Sequence, residues 1–150
     1  MLVYRITKSK NAADLSGTGA AIYPGRWNKK GTPILYTGIS KEIALLENLV
    51  HIPAMMMPEM DILTLEVPED SITKIDIGRL PKNWFHFPAP TVLAEIGQEW
   101  VNENKYLAMQ VPSAIVHSSW NVILNCSHPR YRDVRIVDHR RFYFDTRLLK

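Results

Sequence analysis

The chain predicts an α+β fold with more strand than helix. Short runs dominated by β-branched and aromatic residues recur from end to end. Only two stretches carry apolar residues at helical spacing. The length of 150 residues makes a single domain over 1–150, large enough to bury about 68–70% of its unfolded surface. With 46% apolar and 22% charged residues, the composition is globular and excludes disorder. The single cysteine, Cys126, allows no internal disulfide and no four-thiolate zinc site, and no metal site is expected. No apolar run approaches ~18 residues. Met1-Leu2-Val3-Tyr4-Arg5 lacks signal-peptide anatomy, so the expectation is a soluble, cytoplasmic protein with no membrane partner.

Leu2-Val3-Tyr4-Arg5-Ile6 is the first strand. Residues 8–25, rich in Ser, Gly, Ala, Asn and Pro, form a long loop, a length that in a compact domain is more often functional than idle. Gly25-Arg26-Trp27-Asn28 and Ile34-Leu35-Tyr36-Thr37 flank Lys29-Lys30-Gly31-Thr32-Pro33, a turn composition. Paired as a hairpin centred on Gly31, they set Arg26 opposite Tyr36, with Cβ atoms about 4.5–5.5 Å apart. Ser40 caps a helix over 41–51. Val92, Leu93, Ile96, Trp100 and Val101 mark a second helix over 91–103. Strands are predicted between the helices at 61–67 and 72–77, and after them at 106–111, 114–117, 121–124, 134–137 and 142–144. Met55-Met56-Met57, with Met60, suits core or a protein-contact surface.

The net charge of +3 conceals a division. Residues 1–53 carry 7 basic and 3 acidic side chains, residues 54–103 carry 3 and 9, and residues 104–150 carry 8 and 3. Two positive ends flanking an acidic middle either steer an anionic ligand or an oppositely charged partner, or are simply a solvated surface.

One acid sits awkwardly. At about 100° per residue, Glu47 projects between Ile43 and Ala44, away from the polar arc of Lys41 and Asn48. Glu42 also lies among leucines, but in the first turn, where the helix dipole favours an acid. A carboxylate bordering an apolar face needs partners, since an unpaired desolvated charge is costly. Glu47 either reaches the rim in a structural ion pair or serves chemistry. Arg26, Tyr36 and Glu47 lie on consecutive elements that pack as neighbours. Together they offer a forked cation suited to phosphate, an aromatic face and a carboxylate. Those groups suit an anionic, aromatic-headed substrate on which positive charge develops.

The stretch Leu15-Ser16-Gly17-Thr18-Gly19-Ala20, then Gly25-Arg26-Trp27-Asn28, Gly31-Thr32-Pro33, Tyr36 and Leu45-Leu46-Glu47 resembles the RES domain family. Val111-Pro112-Ser113-Ala114, Asn121-Val122-Ile123-Leu124-Asn125, His128-Pro129 and the closing Phe144-Asp145-Thr146-Arg147-Leu148 extend the likeness over essentially the whole chain. The Arg, Glu and Ser that name the family map to Arg26, Glu47 and Ser113. At Asn125-Cys126-Ser127-His128 the chain departs from the family's usual Asn-Pro. The resemblance implies a mixed-sheet core with flanking helices related to ADP-ribosyltransferases. It also implies a toxin of a toxin–antitoxin pair that acts on NAD by hydrolysis, phosphorolysis or, alternatively, ADP-ribosylation of a protein. The partner it implies is a Xre-type antitoxin with a helix-turn-helix part, which makes any nucleic-acid contact through the complex.

Cleaving the nicotinamide–ribose bond passes through an oxocarbenium-like transition state, as in glycoside hydrolysis. Nicotinamide leaves as a neutral base, so no acid is needed on the leaving group. On this reading Glu47 stabilises the ribose cation, Arg26 binds the pyrophosphate or adjoining ribose, and Tyr36 faces the nicotinamide ring. Ser113 bonds the carboxamide or a ribose hydroxyl, with Asn121 beside it. Arg5 is either a second phosphate ligand or a surface ion pair. Gly17, Gly19 and Gly25 let backbone approach the dinucleotide, but they are not the Rossmann pattern. NAD is substrate, and no cofactor is expected. The competing class is a basic RNA-directed nuclease or RNA-binding toxin, suggested by Arg130, Arg132, Arg135, Arg140 and Arg141. The alternative for those arginines is a solvated face or one meeting an acidic antitoxin segment.

Overall fold

In the computed structural model, which describes residues 1–53 and 58–148, the strand-forming runs assemble into one sheet. Its strands are β1 (Leu2–Lys8), β2 (Ile34–Gly38), β3 (Met60–Glu66), β4 (Ile72–Lys74), β5 (Ala108–Pro112), β6 (Trp120–Asn125) and β7 (Arg135–Phe142). They lie in the order β4-β5-β6-β2-β1-β3-β7. Every neighbouring pair is antiparallel except β4–β5, so the α+β expectation holds as a mixed seven-stranded sheet. Three helices accompany it among the described residues: α1 (Thr18–Ile22), α2 (Lys41–Leu49) and α3 (Thr91–Glu103). None is long and apolar enough to cross a membrane.

Alternation along the strands sends side chains to two faces. One face buries Val3, Leu35, Leu63, Leu65, Val122 and Leu124, beneath the loop that carries Leu15 and the turn that carries Tyr131. The other face holds two separate clusters. α3 brings Leu93 and Trp100 onto Ile34, Met109, Val111 and Ile123. α2 brings Ala44 onto Ile6 and Met60. The two helices thus pack on different parts of this face, and Tyr36 of β2 and Asn121 of β6 lie on the same face as both clusters.

α2 begins where Ser40 predicts: its Oγ accepts from the Ile43 amide at 3.2 Å. α3 runs over the residues expected. Other boundaries differ, each for a local reason. Residues 25–28 are not a strand, so the expected hairpin does not form; Tyr36 pairs instead with Ile123 of β6. The 25–28 backbone is satisfied by the Asn28 and Tyr36 side chains instead of a ladder. Residues 114–117 are a turn, because Ser113 Oγ captures the amides of Ile115 and Val116. β4 ends at Lys74, and β7 runs unbroken where two short strands are predicted. The long loop carries α1 within it. Met60 is buried in β3, whereas Met55, Met56 and Met57 lie outside the described residues.

Candidate active site

Ile43 and Ala44 bury the inner face of α2 and fix its roll. Glu47, one turn on, then points half-buried over the middle of the sheet. Its Oε1 accepts from Asn121 Nδ2 at 2.8 Å and from Ser113 Oγ at 3.0 Å. The Ser113 hydroxyl has one proton and two lone pairs. Both lone pairs take backbone amides, those of Ile115 and Val116, each at 3.1 Å. The proton is therefore committed to Glu47. One carboxylate oxygen is held by the fold, and the other, Oε2, takes no protein hydrogen bond among the described residues.

Tyr36 stands on β2, on the same face as Asn121, since Gly38 pairs with Asn121 two residues further along the same register. Its hydroxyl donates to Asn28 Oδ1 at 2.7 Å and accepts from the Trp27 amide at 3.1 Å. Burial pushes the phenol's pKa well up, against the opposing pull of the Trp27 amide and the Arg26 charge. A Cβ on Gly25 would lie 2.8 Å from the phenol oxygen, so only glycine lets that backbone rest on the ring.

Arg26 follows on the same loop. Its Nη1 donates to the carbonyls of Trp84 and His86 at 2.8 and 2.9 Å. Burial pulls the guanidinium below its ordinary pKa, and the Glu47 carboxylate and Tyr36 phenol, close by, oppose that shift. The segment it holds forms an aromatic cluster in which His117 packs on Phe85 and Trp84 with centroids 4.4 and 5.2 Å apart. Arg26 and Ser113 thus tether two loops that meet at His117.

The structure brings Arg26, Tyr36, Glu47, Ser113 and Asn121 together and leaves Arg5 out. Arg5 pairs with Leu63 in β3 and shares the opposite face of the sheet with it. Its neighbours there are Tyr131, Asp14 and Cys126, its burial lowers its pKa, and Nη1 is enclosed without a partner. A role at the phosphates of a ligand held by Glu47 does not fit that placement. Ser113 also differs from expectation: it is fully enclosed, with every hydrogen-bonding position used on Glu47 and the turn that follows. Asn125 and His128 close local turns by accepting from the amides of Ser127 and Arg130. Burial raises the Cys126 thiol's pKa, as befits an inert packed thiol. Asn28, buried at the loop that carries Arg26 and bonded to the Gly25 amide and the Tyr36 hydroxyl, is the residue of this region that spacing alone does not single out.

Surface hollows of about 240 and 260 Å³ lie elsewhere, lined by residues such as Arg141 and Phe144 or Arg79 and Glu103. The candidate site is defined by convergent side chains, not by either hollow. No group of three or more His, Cys, Asp or Glu suited to a metal occurs among the described residues.

Comparison with known proteins matches the model of the RES domain to residues 2–145. A protein of Photorhabdus laumondii named "Toxin Res" is 38% identical, covering 100% of this chain and 98% of that one. A Sphingobium protein named "Prs ADP-ribosylating toxin" is 31% identical over 95% of this chain and 91% of its own. Among solved structures, the Mycobacterium tuberculosis MbcT–MbcA toxin–antitoxin complex contains a chain that superposes with a TM-score of 0.81, at 16% identity. The match covers 99% of this chain and 86% of that one.

Proposed function

Because the chain belongs to the RES domain family, we propose that this RES-domain toxin breaks the nicotinamide–ribose bond of NAD. The observation that carries the reading is the half-committed carboxylate. Glu47 Oε1 is fixed by Ser113 and Asn121, and Oε2 takes no protein hydrogen bond among the described residues. As the C–N bond breaks, its electron pair goes to the ring nitrogen and neutral nicotinamide departs. The positive charge on the ribose then develops beside the Glu47 carboxylate, which is preorganised and needs no rearrangement at the moment of reaction. Arg26 keeps Nε and Nη2 for the phosphates while Nη1 braces the loop, a division that planar guanidinium geometry permits. The Tyr36 ring supplies the aromatic wall. Water completes hydrolysis by adding hydroxide to the ribose carbon and releasing a proton; inorganic phosphate in its place completes phosphorolysis.

A second reading keeps the same bond cleavage and changes the acceptor to a protein side chain. The name of the Sphingobium relative favours it. The RNA-directed reading has less support, because much of the basic end is already neutralised. Arg130 meets Asp70 and Asp133, Arg140 meets Asp138, and Arg141 meets Glu59 and Asp61. The proposed partner is an antitoxin, supported by the toxin–antitoxin complex among the structural neighbours; its helix-turn-helix, Xre-type character is what the family resemblance implies.

The test is to incubate the purified chain with NAD, with and without inorganic phosphate, and separately with total RNA. Release of nicotinamide with intact RNA supports the reading, and the co-product identifies the acceptor. Undiminished NAD with degraded RNA reverses it.

A further inference from the structure

We propose that Asn28 is a positioning residue that locks Arg26 and the Tyr36 ring into one rigid unit, and that the Tyr36 hydroxyl is thereby a structural group with no part in proton transfer. Asn28 is only 2% exposed, and its side chain is saturated. Oδ1 accepts from the Gly25 amide at 2.8 Å and from the Tyr36 hydroxyl at 2.7 Å. The two protons of Nδ2 meet three carbonyls, those of Ala20, Thr32 and Lys29 at 2.8, 3.2 and 3.3 Å, one proton being shared. One buried amide therefore gathers α1 at Ala20, both sides of the 29–32 turn and the strand that carries Tyr36.

Arg26 lies between anchored neighbours. Gly25 is held by Asn28, and the Trp27 amide is held by the Tyr36 hydroxyl. From the other side, α3 presses on the same loop: a Cβ on Gly97 would fall 1.7 Å from the Trp27 carbonyl oxygen. The hydroxyl's proton goes to Asn28 and a lone pair to Trp27, so neither is free for a reacting atom. What Tyr36 presents to a substrate is its ring.

This inference rests on the NAD-cleaving reading for its kinetic test, so its first test is independent of activity. Hydrogen–deuterium exchange of the intact chain reads the amides of Gly25 and Trp27 directly. In Tyr36→Phe the Trp27 amide, and in Asn28→Ala the amides of both Gly25 and Trp27, are expected to exchange at least roughly tenfold faster, with core strands unchanged. In nicotinamide release, Tyr36→Phe is expected to raise KM roughly three- to tenfold, the scale of one lost hydrogen bond. kcat should change less, and the shape of the pH profile should be unaltered. Because the two residues share one bond, Asn28→Ala combined with Tyr36→Phe should cost less than the product of the single effects. Unchanged exchange in both variants overturns the proposal. So does a hundredfold fall in kcat for Tyr36→Phe with one limb of the pH profile removed, the signature of a proton-transfer group. If Asn28→Ala fails to fold, Tyr36→Phe alone decides. An inactive wild type sinks the NAD reading and leaves the exchange result standing.

Discussion

Ser113 shows how one side chain can serve two masters. Its hydroxyl donates to Glu47 while accepting from two amides of the turn that follows. Ser113→Ala removes all three bonds at a fully enclosed position and leaves polar groups unpaired, which costs about 1–3 kcal/mol. The expected outcome is a lower unfolding temperature together with a ten- to hundredfold loss of nicotinamide release, roughly the effect of loosening one preorganised group. Chemical denaturation and initial-rate assays on the same preparation check it. Stability lost with activity intact would separate Ser113 from the carboxylate. Glu47 itself was legible in the sequence, because helical projection sets it on an apolar border where a carboxylate needs partners. The saturated hydroxyl of Ser113 was not, since it depends on 114–117 turning back where β-branched residues suggest a strand. Arg5 misled for a related reason: alternation gives the parity of a strand position, but only the pairing with Leu63 says which face that parity selects.

At the level of elements, α3 and the Arg26 loop are in near-contact, and Gly97 makes the approach possible. Any side chain at that position meets the Trp27 carbonyl at an impossible distance, inside a helix where the glycine itself carries a propensity cost. Gly97→Ala is therefore expected to destabilise the protein by about 3 kcal/mol or more, the upper range for overpacking a core, although alanine is the better helix former. A Tm equal to wild type or higher would show that the loop is not pinned there. The extent of α3 was readable from its apolar stripe. The failure of the predicted hairpin was not, because its turn composition is sound in isolation. What overrides it is tertiary: β2 takes β6 and β1 as neighbours, so residues 25–28 rely on side-chain acceptors.

Over the whole molecule, the mixed sheet draws both its charged outer pair and its candidate site from distant parts of the chain. The outer pair β3–β7 is laced by charge: Asp61 accepts from Ser9 at 2.5 Å and pairs with His139 at 2.6 Å and Arg141 at 3.2 Å. Those contacts, the Ser9 hydrogen bond first, hold the Asp61 pKa below its ordinary 3.8. A depressed folded pKa means stability that is fully present above the ordinary value and lost as pH falls through the lowered one. The Tm difference between wild type and Asp61→Asn should therefore be widest near neutrality and shrink once pH drops below 3.8; a difference constant across that window would contradict the assignment. The fold class was legible from composition and strand-rich runs, and the RES relationship from ordered motifs. The strand order was not, since β1 sits between β2 and β3 through contacts that no local pattern encodes. That order brings α2, β2, β6 and the loop after β5 to a single place on the sheet, and the proposed chemistry depends on it. The most direct test is nicotinamide release by Glu47→Gln. Glutamine can keep its carbonyl oxygen toward Ser113 and Asn121, so the variant should fold with a near-wild-type Tm. Turnover should fall by about 10²–10³, the scale for losing one electrostatic stabiliser. A folded Glu47→Gln protein that releases nicotinamide at the wild-type rate would contradict the account.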